Sequence, residues 1–318
     1  MQVKLIRFIV LLLERITAHF VSIHLRPWKF SKHVLKSDYD SYGKYQSEWC
    51  ILLQGPIITK NSFTLQTILL YRFVYPNAKI ILSTWKDEAK KLDKNKLNDL
   101  KVDVLLNTKP DNVGISNINL QLVSTIAGIN FASDQGVKYV LKTRTDQRVC
   151  KSLDFLGHMR NLQTNFPISN DKMENRLIVA STNSFKSRLY GVTDMYMFGS
   201  ISDMKLFWQI PTEQKSETLH EVKTDPVYFI SNKQAEGYLV NHFFNSIDFS
   251  PSWSVENSHY FLSQFFCIVD KEQLDLFWLK YERFIESFSF LRKNDAKNWE
   301  RFEFVDWLKA YILYRKIE

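Results

Sequence analysis

The chain of 318 residues is poor in cysteine, glycine and proline, and each shortage excludes a class of protein. Its three cysteines, Cys50, Cys150 and Cys267, are far apart and form no CxxC pair, so we expect neither a structural zinc site nor a disulfide framework. They are typical of thiols in a reducing compartment. Nine glycines and eight prolines are too few for a sandwich or barrel built on tight turns.

The N-terminal apolar run is too short to span a membrane. It covers Phe8 to Leu13, whereas a transmembrane helix needs roughly 20 apolar residues. Residues 1–30 are predicted to form an amphipathic helix whose basic side carries Lys4, Arg7 and Arg15. Such a helix either lies in a membrane interface or packs on the surface of its own domain, and both interpretations stay open.

The composition indicates a globular protein with an anionic partner. Hydrophobic residues make up 45% of the chain, enough for a sizeable core, and the formal net charge is +8. Basic proteins attract nucleic acids, nucleotide sugars and anionic membrane surfaces alike. The basic residues form no single stripe and no recognisable DNA- or RNA-binding motif, so we expect no nucleic-acid partner. A non-catalytic module that binds nucleic acid or an anionic membrane stays the alternative.

From Trp49 onward, short apolar runs alternate with amphipathic segments, a pattern typical of β-α units in a mostly parallel sheet. The pattern therefore predicts an α/β fold with additional N-terminal and C-terminal helices. The predicted strands are 49–53, 78–83, 102–106, 138–143, 177–180 and 195–199. The predicted helices are 59–71, 87–100, 117–133, 233–245, 271–290 and 295–314.

The fourth predicted strand ends in a charged tip that carries Lys142, Arg144 and Asp146. Ligands of open α/β sheets bind at the carboxyl ends of the strands. A carboxylate at that place is suited to Mg²⁺ or Mn²⁺, and the two cations are suited to phosphate groups. The sequence thus indicates a phosphorylated ligand, with Asp146 as the metal ligand if a metal is used. The competing interpretation is an ion pair among these three side chains.

Three further segments carry candidate residues. Gln54-Gly55-Pro56 follows the first strand and is neither a dinucleotide-binding GxGxxG motif nor a P-loop. Asp194 precedes a predicted strand, and Glu236 lies in the first turn of a predicted helix. Either acid is a candidate to deprotonate an acceptor hydroxyl. The alternatives are that Asp194 caps a turn and that Glu236 complements the helix dipole.

Six motifs, taken together in this order and spacing, resemble the WavE-type lipopolysaccharide-synthesis family over about residues 49–244. The resemblance implies a GT-A-like nucleotide-sugar-binding fold and a glycosyltransferase that acts on a lipopolysaccharide or other surface-glycan acceptor. The motifs are Leu52-Leu-Gln-Gly-Pro56, Tyr71-Arg72 with Tyr75-Pro-Asn-Ala78, Ile80-Ile-Leu-Ser-Thr-Trp85, Asn119 with Gln121, Leu141-Lys-Thr-Arg-Thr-Asp146, and Thr193-Asp194 with Phe198-Gly199.

The resemblance also implies roles for single residues. Arg144 stands where such enzymes usually carry the first acid of an Asp-x-Asp motif, and this replacement puts a requirement for Mn²⁺ or Mg²⁺ in question. Glu236 is favoured over Asp194 as the acceptor base, a choice that assumes inversion. The implied donor-binding residues are Gln54, Gly55, Pro56, Ser83, Trp85, Asn119, Lys142, Arg144 and Asp146.

On this hypothesis the chain has four parts. They are the amphipathic helix (1–30), a linker (31–48), a catalytic domain (49–250) with a nucleotide half (49–146) and an acceptor half (147–250), and a C-terminal helical region (251–318). We expect peripheral attachment to the cytoplasmic face of a bacterial inner membrane, where a lipid-linked glycan is the acceptor. An aromatic stripe between Trp299 and Tyr314 either adds to this attachment or packs in the core. A phosphosugar transferase or hydrolase on the same fold is a second alternative.

Overall fold

The structure, a computed structural model, describes residues 46–150, 154–186, 188–214, 227, 234–279 and 300–315. The predicted amphipathic helix at residues 1–30 and nearly all of the predicted linker therefore lie outside the described residues. Among the helices that are described, none is long and apolar enough to cross a membrane.

Two sheets are present in the described residues. Their strands are β1 Trp49–Gln54, β2 Lys79–Trp85, β3 Val102–Asn107, β4 Tyr139–Arg144, β5 Gln147–Val149, β6 Leu177–Ala180, β7 Met197–Ser200, β8 Phe266–Val269 and β9 Leu276–Trp278. The central sheet has seven strands in the order β3-β2-β1-β4-β7-β6-β8, and only β7 runs antiparallel to its neighbours. β5 and β9 form a small antiparallel pair. The prediction of a mixed α/β fold with a mostly parallel sheet is confirmed.

Helices flank the central sheet. Their bounds are α1 Phe63–Val74, α2 Lys94–Asp99, α3 Ile118–Asp134, α4 Phe155–Asn165, α5 Ile201–Trp208, α6 Ala235–Ser246, α7 Val255–Phe265, α8 Lys271–Leu274 and α9 Phe304–Arg315. The strands of the parallel half are continuous apolar runs because helices cover both faces of the sheet. All six residues of β1, for example, are buried.

The strand order reverses direction at β1. The chain proceeds outward from β1 to β2 and β3, and then crosses back so that β4 lies on the other side of β1. In the register of the sheet, Gln54 at the end of β1 is level with Ser83 in β2 and with Arg144 in β4. Such a switch point creates a crevice at the carboxyl ends of the strands, which is where ligands of this fold class bind.

Two predicted helices were wrong in detail for identifiable reasons. The predicted helix 87–100 is interrupted: residues 86–91 form 3-10 turns, and Asp93 then starts α2 by accepting a hydrogen bond from the backbone N–H of Lys96. The predicted helix 271–290 stops after one turn because Asp275 takes a left-handed conformation, with φ 51°, and leads into β9. Residues 280–290 lie outside the described part of the chain.

The prediction of a purely helical C-terminal region (251–318) is wrong, because β8 belongs to the central sheet and β9 pairs with β5. The helix predicted over 295–314 is described as α9, which begins at Phe304. In α9 the side chain of Trp307 is fully buried, and its Nε1–H donates to the carbonyl oxygens of Leu262 (3.2 Å) and Phe266 (2.6 Å). This part of the aromatic stripe therefore packs in the core.

Candidate functional site

The loop after β1 and the loop after β4 are joined by hydrogen bonds. The backbone N–H of Thr145 donates to the carbonyl of Gln54 (3.1 Å), and its hydroxyl donates to the carbonyl of Pro56 (2.6 Å). Gly55 adopts φ +119°, and a Cβ at this position would approach Thr145 Oγ1 to 3.1 Å, so glycine suits both the backbone and the contact. The two sequence motifs thus form one fixed edge at the switch point.

Arg144 and Asp146 form a bidentate ion pair at this edge. Arg144 Nε lies 2.8 Å from Oδ1 of Asp146, and NH2 lies 3.1 Å from Oδ2. Trp278, from β9, donates its indole N–H to the same Oδ2 at 3.0 Å. Burial raises the pKa of Asp146, but the hydrogen bonds and charge of Arg144, together with the indole, hold that pKa below its ordinary value.

The residues around Asp146 do not fit a metal site. Both of its carboxylate oxygens already accept hydrogen bonds from Arg144 and Trp278. In the described ranges, no group of three or more histidine, cysteine, aspartate or glutamate side chains is placed to hold a metal ion. Mg²⁺ and Mn²⁺ prefer several oxygen ligands. We therefore assign no chemical step to a metal at Asp146.

Lys142 is directed away from the ion pair into the protein. Its side chain is fully buried, and Nζ donates to the carbonyl oxygen of Asp194 and to Oε1 of Gln121 (3.3 Å). Nζ also lies 4.4 Å from the centre of the Trp208 ring, within the range of a cation–π contact. Burial lowers the pKa of Lys142 to about 7, although the charge of Asp194 acts in the opposite direction.

Gln121 connects Lys142 to the carboxylate of Asp194. A lysine ammonium only donates hydrogen bonds, so Oε1 of Gln121 faces Lys142 and Nε2 is left to donate to Oδ2 of Asp194. Asp194 itself is 3% exposed and comes just before β7, whose Met197 is level with Lys142 of β4. The carboxylate of Asp194 therefore lies at the same edge of the sheet as Arg144.

Glu236 is the second carboxylate of this region. Its Oε1 accepts a hydrogen bond from Asn183 Nδ2 and lies 3.3 Å from NH1 of Arg188. Burial, followed by the negative charge of Asp194, raises the pKa of Glu236, and Arg188 partly offsets the effect. The structure thus brings together Asp194 and Glu236, the two acids that the sequence singled out.

Of the remaining predicted donor residues, Gln54, Ser83 and Asn119 direct their polar side-chain atoms to internal contacts. The hydroxyl of Ser83 donates to the carbonyl of Ser124 (2.6 Å), and Ser124 in turn donates to Oε1 of Gln54 (2.9 Å). Asn119 uses both ends of its amide on the backbone of Glu213, at 2.7 and 2.8 Å. Trp85 ends β2 and is 3% exposed.

A cavity of about 180 Å³ lies beside the loop after β1. The loop itself contributes Ile57, Ile58 and Thr59 to the wall of this cavity. The other lining residues include the apolar Leu65, Ile68, Leu82 and Leu97 and the charged Lys91, Asp93 and Lys96. Lys96 pairs with Asp93, and Lys91 pairs with Glu88. Few, directed polar groups around an apolar pocket are typical of small-molecule sites.

Several residues of the site were not found by sequence reasoning. Trp278 contacts Asp146 across 132 positions, and no local pattern signals such a contact. Asn183 and Arg188 lie in the connection between β6 and β7, and Trp208 ends α5, so their positions in the site depend on tertiary contacts.

Residues 50–314 match the family described as WavE lipopolysaccharide synthesis. The chain belongs to this family. The match confirms the resemblance that the six motifs indicated and extends it from residue 244 to residue 314, so that the matched residues of this WavE family protein include β8, β9 and nearly all of α9.

The other comparisons add little to the family match. A solved cytidylyltransferase from Leptospira borgpetersenii serovar Hardjo-bovis is 12% identical and aligns over 85% of this chain and 96% of that one. Its TM-score of 0.33 is too low to support an argument. None of the curated proteins matches the chain.

Proposed function

We propose that this WavE family protein is a glycosyltransferase on a GT-A-like fold, which transfers a sugar from a nucleotide-sugar donor to a lipopolysaccharide or other surface-glycan acceptor. The observation that carries the proposal is the pair of buried acids, Asp194 and Glu236, next to the cationic edge at Arg144. A base beside a site for a leaving diphosphate is the minimum that glycosyl transfer to a hydroxyl requires.

The donor is proposed to lie across the carboxyl edge of the sheet. The cavity beside β1 and β2 takes the nucleobase, and the joined loops at β1 and β4 take the diphosphate. The start of β7, which runs antiparallel, and the end of β6 take the sugar. Neighbouring strands are about 4.8 Å apart, so the four steps from β2 to β6 span about 19 Å. This distance suits an extended nucleotide sugar.

Charge determines the proposed roles of Arg144 and Asp146. Glycosyl transfer develops positive charge on the sugar ring and negative charge on the departing diphosphate. Arg144 is a fixed cation at the switch point, held there by Asp146 and stacked near the Trp278 ring at 5.6 Å. A preorganised cation of this kind stabilises the leaving group without reorganisation during the reaction.

Glu236 is proposed as the base that takes the proton of the acceptor hydroxyl. Asp194 accepts a hydrogen bond from Gln121 and lies close enough to Glu236 to act on it by its charge. Its charge raises the pKa of Glu236, and a carboxylate with a raised pKa is a stronger base. The direct attack that this arrangement serves would invert the sugar configuration.

The decisive experiment is a thermal-shift comparison of UDP-, GDP-, CMP- and ADP-linked sugars, each with EDTA and with Mn²⁺. We expect one nucleotide class to raise the Tm with EDTA present, since a ligand at 100 times its Kd adds about 2.7 kcal/mol to the free energy of unfolding. Arg144→Gln should lose most of this shift, measured against its own Tm without ligand, which should be lower than that of the wild type because the buried Asp146 loses its partner.

Other results would favour other functions. Stabilisation only with Mn²⁺ would mean that the diphosphate is bound through a metal ion and not by Arg144 alone. Nucleic-acid binding that weakens steeply with salt, with no response to any nucleotide sugar, would favour the binding module. Donor cleavage that proceeds equally well without an acceptor would favour a hydrolase.

We further propose that the acceptor is lipid-linked and that the protein works as a peripheral protein on the cytoplasmic face of the inner membrane. The support is the family and the basic, amphipathic sequence of residues 1–30. In vesicle flotation, the full chain should float with anionic vesicles and a chain lacking residues 1–26 should not. Equal flotation of the two chains would contradict this attachment.

A further inference from the structure

Three buried polar atoms beside Glu236 have no hydrogen-bond partner among the residues that the structure describes. They are Thr182 Oγ1, Arg188 Nε and Gln234 Oε1, out of nine such side-chain atoms in the described part of the chain. Thr182 precedes Asn183, a hydrogen-bond donor to Glu236, and Gln234 comes two residues before Glu236. Of these three residues, Arg188 contacts Glu236 directly, and the other two are close chain neighbours of Asn183 and Glu236.

Unpartnered buried polar groups are rare in folded proteins and call for a specific cause. Here the position of Arg188 is fixed from several sides. Its two terminal nitrogens contact Glu236 and the carbonyl of Asn183, and it passes so close to Gly191 that a Cβ there would collide with Nε. Its side chain is 7% exposed. These contacts fix the guanidinium group of Arg188, so it cannot rotate to give its Nε–H a partner among the described residues.

The chemistry of the three atoms indicates the class of ligand. Arg188 Nε donates, Gln234 Oε1 accepts, and the hydroxyl of Thr182 does both. A phosphate group would need donors alone, whereas Gln234 Oε1 is an acceptor. Neighbouring hydroxyl groups of a pyranose ring, each of which donates one hydrogen bond and accepts others, match this mixture.

We infer that Thr182, Arg188 and Gln234 form a subsite that holds one sugar ring by its hydroxyl groups next to Glu236. The inference rests on the proposed function for the identity of that ring, which belongs either to the donor or to the acceptor. The recognition chemistry is the same in both cases, and the experiment separates them.

Thr182→Val tests the subsite, with Thr125→Val as the matched control. Thr125 lies in α3, and its hydroxyl is also buried and unpartnered within the described residues. Replacing a buried, unpartnered hydroxyl by a methyl group of similar shape is neutral or stabilising for the fold. We therefore expect both variants to keep or raise the Tm, and only Thr182→Val to bind sugar about three- to tenfold more weakly.

Two measurements identify the ring. If it belongs to the donor, Thr182→Val weakens binding of the nucleotide sugar but not of the free nucleoside diphosphate. If it belongs to the acceptor, the KM for the acceptor rises and donor binding is unchanged. An active variant with wild-type values in both measurements would overturn the subsite and leave the proposed function standing.

The subsite can also be judged if the proposed function fails. If the wild type binds no nucleotide sugar and transfers no sugar, simple methyl pyranosides become the probe in the same thermal-shift assay. Stabilisation of the wild type and of Thr125→Val, with a weaker response from Thr182→Val, would support the subsite. An equal response of all three proteins, or no response from the wild type, would overturn it.

Discussion

Glu236→Gln is expected to lower kcat by about 10²- to 10⁴-fold, the usual contribution of a general base. The substitution preserves the shape of the side chain, and the amide oxygen can still accept from Asn183 and Arg188. It removes the ability to take up a proton. The affinity for the donor nucleotide should therefore stay near the wild-type value, whereas the Tm should fall because the buried Arg188 loses its counter-charge. The measurement is kcat at saturating donor and acceptor, at a temperature well below the Tm of the variant, with donor affinity as the control.

Asp194→Asn is the matched partner of this variant, and the sign of its effect follows from charge. The negative charge of Asp194 raises the pKa of Glu236, so its removal lowers that pKa. The acid limb of the kcat/KM profile should move to lower pH in Asp194→Asn, whereas Glu236→Gln should lose that limb. If Asp194→Asn loses the limb and Glu236→Gln keeps it, Asp194 is the base.

The parallel half of the fold was predictable because burial on both faces leaves a strong trace in the sequence. β1, β2, β3 and β4 are apolar runs within one or two residues of the predicted strands. The second half contains elements of three or four residues, such as β5, β8 and β9, which are too short to show a period. Pairing across the sheet, and not local preference, stabilises them.

In the candidate site, too, some features were predictable from the sequence and others were not. Residues at strand ends, such as Gln54 and Arg144, were predictable because the carboxyl edge of a parallel sheet is defined by the order of its elements. The direction of the Lys142 side chain was not predictable. The same lysine suits a phosphate at the surface or a buried contact, and the choice depends on Gln121 and Trp208, which come from α3 and α5.

Lys142→Met is expected to remove a large pH dependence of stability. Burial lowers the pKa of Lys142 to about 7 in the folded protein, against an ordinary value of 10.5. Between these two values the unfolded chain holds a proton that the folded protein lacks, so the free energy of unfolding rises with pH by about 1.4 kcal/mol per pH unit. Below about pH 7 both states hold the proton and this contribution no longer changes.

Urea unfolding of the wild type and of Lys142→Met at pH 7.5, 8.5 and 9.5 measures this slope. All other titratable groups are common to the two proteins, including Asp194, Arg144 and Asp146, whose charges act on Lys142. The difference between the two curves should therefore change by about 3 kcal/mol over the two pH units.

Lys142→Arg separates the charge of the side chain from its packing. Arginine stays protonated throughout this range, so its variant should also lack the slope, but it should be the less stable protein at pH 9.5, where the wild-type lysine is neutral. Parallel stability curves for the wild type and Lys142→Met would mean that Lys142 titrates normally. It would then be exposed to solvent and free to reach a phosphate. In that case the contact with Lys142 would no longer explain why Gln121 turns its Nε2 toward Asp194.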